Sequence, residues 1–68
     1  MTSEQFKAWR KALGFTQAAA AEALGLSKPA VENYDRGVRR EDGRAVVIPK
    51  VVALACMAIR MGVTDYTE

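Results

Sequence analysis

TQAAAAEALGLSKPAVENYDRG, from Thr16 to Gly37, decides how this chain folds. Alanine has the highest helix propensity, so AAAAEAL is helical without help. Thr16 is placed to cap a helix over Gln17 to Leu24. With no bulk beyond Cβ, Ala18 to Ala21 let another backbone come close. Gly25 closes the helix, where a left-handed residue is often needed. Leu26 turns back toward the core and Ser27 caps a third helix. Lys28 and Pro29 fall in its first turn. N–H groups there have no acceptor within the helix, so a proline loses little. Val31 and Tyr34, three apart, form the inward face. Ala30 and Asn33 lie on another face, flanked by Lys28 and Glu32. Gly37 stops the helix.

Working outward, Ser3 can cap a first helix with Phe6, Trp9 and Leu13 on one face, ended by Gly14. Trp9 reads as a core anchor. After Gly37 comes VRREDGRAVVI, Val38 to Ile48, with a turn signal at Asp42-Gly43. Arg44 to Ile48 carries three β-branched residues and reads as extended. It can pack on the domain or pair with a second subunit at a free edge. Pro49 opens a last helix, about 49–61. Val51, Val52, Leu54, Ala55, Ala58 and Ile59 make it apolar around much of its circumference, which calls for neighbours on more than one side. Tyr66 can fold back or touch a partner. The expected architecture is all-α and compact: four helices, or five, with a short extended segment before the last. Residues 1–68 form a single domain, with a helix-turn-helix unit at about 16–36.

With 68 residues the chain has a small core and gains from a partner subunit. It has one cysteine, Cys56, and no histidine, which excludes an internal disulfide and a Cys/His zinc set. Cys56 sits in VVALACMAI and reads as a buried small hydrophobe. That nine-residue run is the longest apolar one, against the roughly 20 a membrane span needs. The start, MTSEQFKAWRK, is polar and shows no signal peptide. A soluble, cytoplasmic protein is expected. Net charge is +2, from ten basic and eight acidic residues, so distribution matters more than the sum. Arg36, Arg39, Arg40 and Arg44 cluster after the third helix. They form either a solvated loop or a basic edge for nucleic acid.

Two helices joined by a tight turn with glycine at the bend make a helix-turn-helix arrangement. Its second helix can enter the major groove, and short polar side chains on its open face would reach base edges. The free N–H groups at Gln17 and Lys28 would suit phosphate oxygens. Gly14, Phe15, Thr16, Gln17, Ala21, Leu24, Gly25, Leu26, Ser27, Val31, Tyr34, Arg36 and Gly37 together resemble the lambda-repressor-like helix-turn-helix family, of Cro/C1 or XRE type. The likeness covers positions 5 to 37. Beyond Val38 it extends only to a final apolar helix.

The resemblance implies roles. Gln17 would donate to a DNA phosphate and steady the first residues of the recognition helix. Lys28, Pro29, Glu32 and Asn33 fall at base-facing positions. Pro29 could offer only apolar contact, and Glu32 would need to pair with Lys28, read a cytosine amine or point along the surface. Ser27, Arg36, Arg39 and Arg40 would contact phosphates. Arg10 and Asp35 match a family pair joining the first helix to the end of the third. Trp9, Val31 and Tyr34 are structural. Many relatives carry glutamate at position 19 and leucine at position 20. Alanine at 20 removes core volume that a large residue such as Trp9 must fill. Most relatives also dimerise through a fifth helix, for which this chain has little length.

The resemblance implies sequence-specific binding of double-stranded DNA by a bacterial or phage transcriptional regulator. The simplest form is a repressor acting as a homodimer on a near-palindromic operator, with no cofactor. The alternatives are an antitoxin-type regulator bound to a toxin, and a protein-interaction module using the helix-turn-helix face, with polymerase as one partner. No enzyme is expected: Ser and Thr positions have capping roles, and Cys56 has no base nearby in sequence.

Overall fold

Thr2, not Ser3, caps the first helix in the computed structural model, which describes residues 1–68. The reason is Gln5. Its N–H donates to Thr2 Oγ1 at 3.1 Å, and the Thr2 N–H donates back to Gln5 Oε1 at 2.8 Å. This reciprocal box needs a carbonyl side chain three residues after the cap. Counted from Ser3 that position is Phe6, which has none. Helix α1 spans Ser3–Ala12. Leu13, expected on the inward face, lies past its end and is 36% exposed. Phe15 instead joins the core from that end, its ring 5.7 Å from Trp9.

Helices α2 (Gln17–Leu24), α3 (Lys28–Arg36) and α4 (Lys50–Arg60) complete the fold. Thr16 Oγ1 accepts from the Ala19 N–H, and Ser27 Oγ accepts from the Ala30 N–H. Gly25 is left-handed at φ 69°. The Leu26 N–H reaches back to the Ala21 carbonyl at 2.9 Å, and the Gly25 N–H to that of Glu22 at 3.2 Å. These paired bonds turn the chain within one step and aim Leu26 at the core. The turn between α2 and α3 is thereby set by local geometry.

α3 packs on α1 and α2, and α4 packs on α2. Phe6, Trp9, Ala20, Ala21, Val31, Ile48, Val52 and Cys56 are buried. The alanine-rich α2 supplies little volume, and aromatic rings make up for it. Tyr34, Phe6, Trp9 and Phe15 form a chain with successive centroids 5.5, 5.4 and 5.7 Å apart. Trp9 Nε1–H donates to the Cys56 carbonyl at 2.8 Å and ties α1 to α4. Burial pushes the Cys56 thiol up to about 11, which keeps it protonated at neutral pH.

The segment after α3 folds on itself. Val38 and Ala45 form an antiparallel bridge, and the Arg39 N–H donates to the Arg44 carbonyl at 2.8 Å. The Val46 N–H donates to Gly37 O at 3.0 Å. The extended stretch expected at Arg44 to Ile48 thus bonds within the chain. Val47 points out at 84% exposure while Ile48 is buried. Gly37 is the pivot between α3 and this loop. It holds φ 80°, and a Cβ there would lie 2.9 Å from Ser3 Oγ. Gly37→Ala therefore meets both a backbone penalty and a contact with α1. A loss of about 1–2 kcal/mol is expected in urea unfolding.

α4 departs most from expectation. Only one side is covered, chiefly through Val52, Cys56 and Ile59. Val51, Leu54, Met57 and Met61 are 71, 61, 53 and 76% exposed. No helix is long and apolar enough to cross a membrane.

Candidate nucleic-acid interface

A carboxylate at the end of α3 holds the helix-turn-helix unit to α1. Asp35 Oδ2 accepts from Arg10 Nη2 at 2.9 Å and from Gln17 Nε2 at 3.0 Å. Arg10 Nη1 also donates to the Phe15 carbonyl at 2.9 Å. One buried acid thus joins side chains from α1, α2 and α3. Gln17 meets the last turn of α3 rather than its first residues, where the sequence reading put its steadying contact. The Gln17 bond to Asp35 uses one amide hydrogen and leaves the second free to donate.

The start of α3 is open. Ser27, Lys28 and Pro29 are exposed, and Asn33 is half-buried one turn on. Arg36 Nη2 donates to Asn33 Oδ1 at 2.6 Å, and Arg36 Nε to the Val38 carbonyl at 3.3 Å. Arg36 therefore braces Asn33 and the loop, beyond the phosphate role the sequence suggests. The Asn33 carbonyl oxygen has a second lone pair, and its NH₂ remains free. The pair of groups that reads adenine is thus available, with its rotamer held by Arg36.

Two basic flanks border α3. On one, Lys7, Lys11 and Arg36 line a polar recess with Gln17 and Glu32. Glu32 shares that recess with cations of α1 and makes no ion pair with Lys28. On the other flank, Asn33, Ala30 and Arg39 line a recess against Val46 and Pro49. Asp42 pairs with Arg44 at 3.6 Å and accepts its N–H at 3.0 Å, so it closes the loop tip. Arg39 and Arg40 are exposed and carry no ion pair.

Helix starts differ in what they offer an anion. At α3, Pro29 has no N–H and Ser27 already satisfies Ala30. Only the Lys28 N–H and the Ser27 hydroxyl hydrogen remain. At α2 the N–H groups of Gln17 and Ala18 are both free, since Thr16 takes Ala19 and Ala20. α2 is the better phosphate seat. Lys7 and Lys11 were missed by sequence reading. The signal was their spacing of four, which puts both on one stripe of α1.

Residues 6–41 match the family model described as helix-turn-helix. No curated protein and no solved structure was found to match the chain.

Proposed function

The chain belongs to the helix-turn-helix family of XRE, Cro and C1 type, a family of DNA-binding regulators, and on that premise we propose that it reads double-stranded DNA as a small dimeric repressor. The observation that carries this reading is the open start of α3. Lys28 and Asn33 stand there between two basic flanks, on a helix held from behind by the Asp35 cluster.

Lysine can donate to guanine O6 and N7, and asparagine can pair with adenine N6 and N7. Each good contact discriminates by about 1–3 kcal/mol. The Gln17 and Ala18 N–H groups, with Lys7 and Lys11, would take phosphates on one side of the groove. Arg39 and Arg40 would take those on the other. Such contacts set position but carry no sequence information. One copy offers two base-reading side chains, too few to single out a site among about 10⁶–10⁹ competitors. Two copies related by a two-fold axis double the reading and predict a near-palindromic operator. Bound there, the protein would block polymerase and needs no cofactor. The site of action is the cytoplasm.

Selection from random duplexes with the purified protein tests this. The expected result is a two-fold symmetric consensus. Repeated with Asn33→Ala, selection should relax at one base pair per half-site and lose about 1–3 kcal/mol of discrimination there. A pool that stays random for the natural protein would end the reading.

A further inference from the structure

Arg36 closes α3, and its guanidinium is engaged on two sides. Nη2 donates to Asn33 Oδ1 at 2.6 Å, and Nε donates to the Val38 carbonyl at 3.3 Å. Val38 is held in turn by its bridge to Ala45. The guanidinium is planar, so the prong seated on the loop fixes the direction of the other. Arg36 forms no ion pair, and no carboxylate competes with Asn33 for it.

This arrangement settles which way Asn33 faces. A carboxamide carries an acceptor on one arm and a donor group on the other, and a half-turn of its terminal group exchanges them. Arginine only donates, so the arm that meets it must be the oxygen. The Asn33 NH₂ is thereby turned away from Arg36. In the major groove adenine offers a donor at N6 and an acceptor at N7. Asparagine matches both only with its oxygen over N6 and its NH₂ over N7. The half-turned amide would set donor against donor and acceptor against acceptor. Exchanging A·T for T·A moves adenine to the other strand and reverses the order in which those atoms are met across the groove.

We infer that Arg36 is a positioning residue: by fixing the orientation of the Asn33 carboxamide, it decides from which strand Asn33 reads adenine. The inference rests on the DNA reading above and gives Arg36 a part in specificity. A phosphate contact alone would carry none. Both roles fit one side chain, because Nη1 takes part in neither bond.

Selection with the natural chain should return an A·T pair in each half-site, at the position that Asn33→Ala relaxes. Arg36→Met and Arg36→Gln are then measured by fluorescence anisotropy on that operator and on one with the pair inverted to T·A. Methionine makes no bond to Asn33. Glutamine can donate or accept, so it holds the amide either way. Arg36 is exposed, and both variants should keep the helical circular dichroism and melting profile of the natural chain. Each should lose about 3- to 10-fold in preference for A·T over T·A, a size expected of residues that share a hydrogen bond. Loss of the charge weakens both duplexes alike and cancels in that ratio. Preference at the other pairs should stay. Added to Asn33→Ala, Arg36→Met should change the ratio no further.

Variants that keep the natural A·T-over-T·A ratio while binding all duplexes more weakly overturn the inference and leave Arg36 a phosphate contact. The reading of α3 would stand in that case, because a site was selected. An Asn33-dependent pair other than A·T also overturns the inference and spares that reading. A pool that stays random for the natural chain ends both.

Discussion

Asp35→Ala should remove most of the folding free energy of this domain. Asp35 is 7% exposed, and the Arg10 side chain it pairs with is 14% exposed. Deleting the carboxylate leaves a largely buried guanidinium with only the Phe15 carbonyl for company. Breaking such a pair from one side costs about 3–5 kcal/mol. A chain of this length holds roughly 3–10 kcal/mol in total, at roughly 0.05–0.15 kcal/mol per residue. The variant should therefore be partly unfolded at 37 °C, seen as a lowered urea midpoint by circular dichroism. A contrast separates the stranded charge from mere loss of a contact. Arg10→Met with Asp35→Leu removes both ions and should be more stable than Asp35→Ala alone. The cluster allows this because Arg10 Nε and Asp35 Oδ1 are buried without partners. Its bonding is incomplete, so an apolar replacement forfeits less. An Asp35→Ala protein within about 1 kcal/mol of the natural one would show that the charge is not confined as described.

The second large effect is on affinity. Reversing Arg39 and Arg40 to glutamate should weaken binding to every duplex by a similar factor, on the order of 10- to 100-fold. Both side chains are exposed and unpaired, so the fold should be unaffected. Fluorescence anisotropy between about 50 and 200 mM salt gives a second measure. The slope of log affinity against log salt should flatten by about two, one for each lost phosphate contact. Asn33→Ala should leave that slope alone and change base preference instead. Arg44 makes a useful control, since its charge is already offset by Asp42. Equal effects from reversing Arg44 and from reversing Arg39 with Arg40 would show a general charge effect.

The two predictions draw on features that were unequally visible in sequence. The caps at Thr16 and Ser27 and the bend at Gly25 involve residues within five of each other. Local hydrogen bonding decides them, so their spacing alone is enough. The same holds for Arg36 and Asn33, three apart on one helix. The meeting of Arg10 with Asp35 was expected only through family likeness. The bond from Gln17 to that same oxygen bridges 18 residues, and no local rule reaches it.

By itself, then, the sequence determined an all-α chain of four helices with a fifth left open, a tight turn between the second and third, and a third helix with polar residues at its start. These follow from propensity, caps and glycine placement, which act over one or two helical turns. Tertiary structure alone decided which side of each helix is closed. It turned Glu32 toward the basic residues of α1 and paired Arg44 and Val46 with the start of the loop. It also left α4 open on one side, although its apolar pattern asks for cover all round. A helix records how much of its surface is apolar. How many neighbours arrive to cover that surface depends on the rest of the chain, and here three short helices are too few.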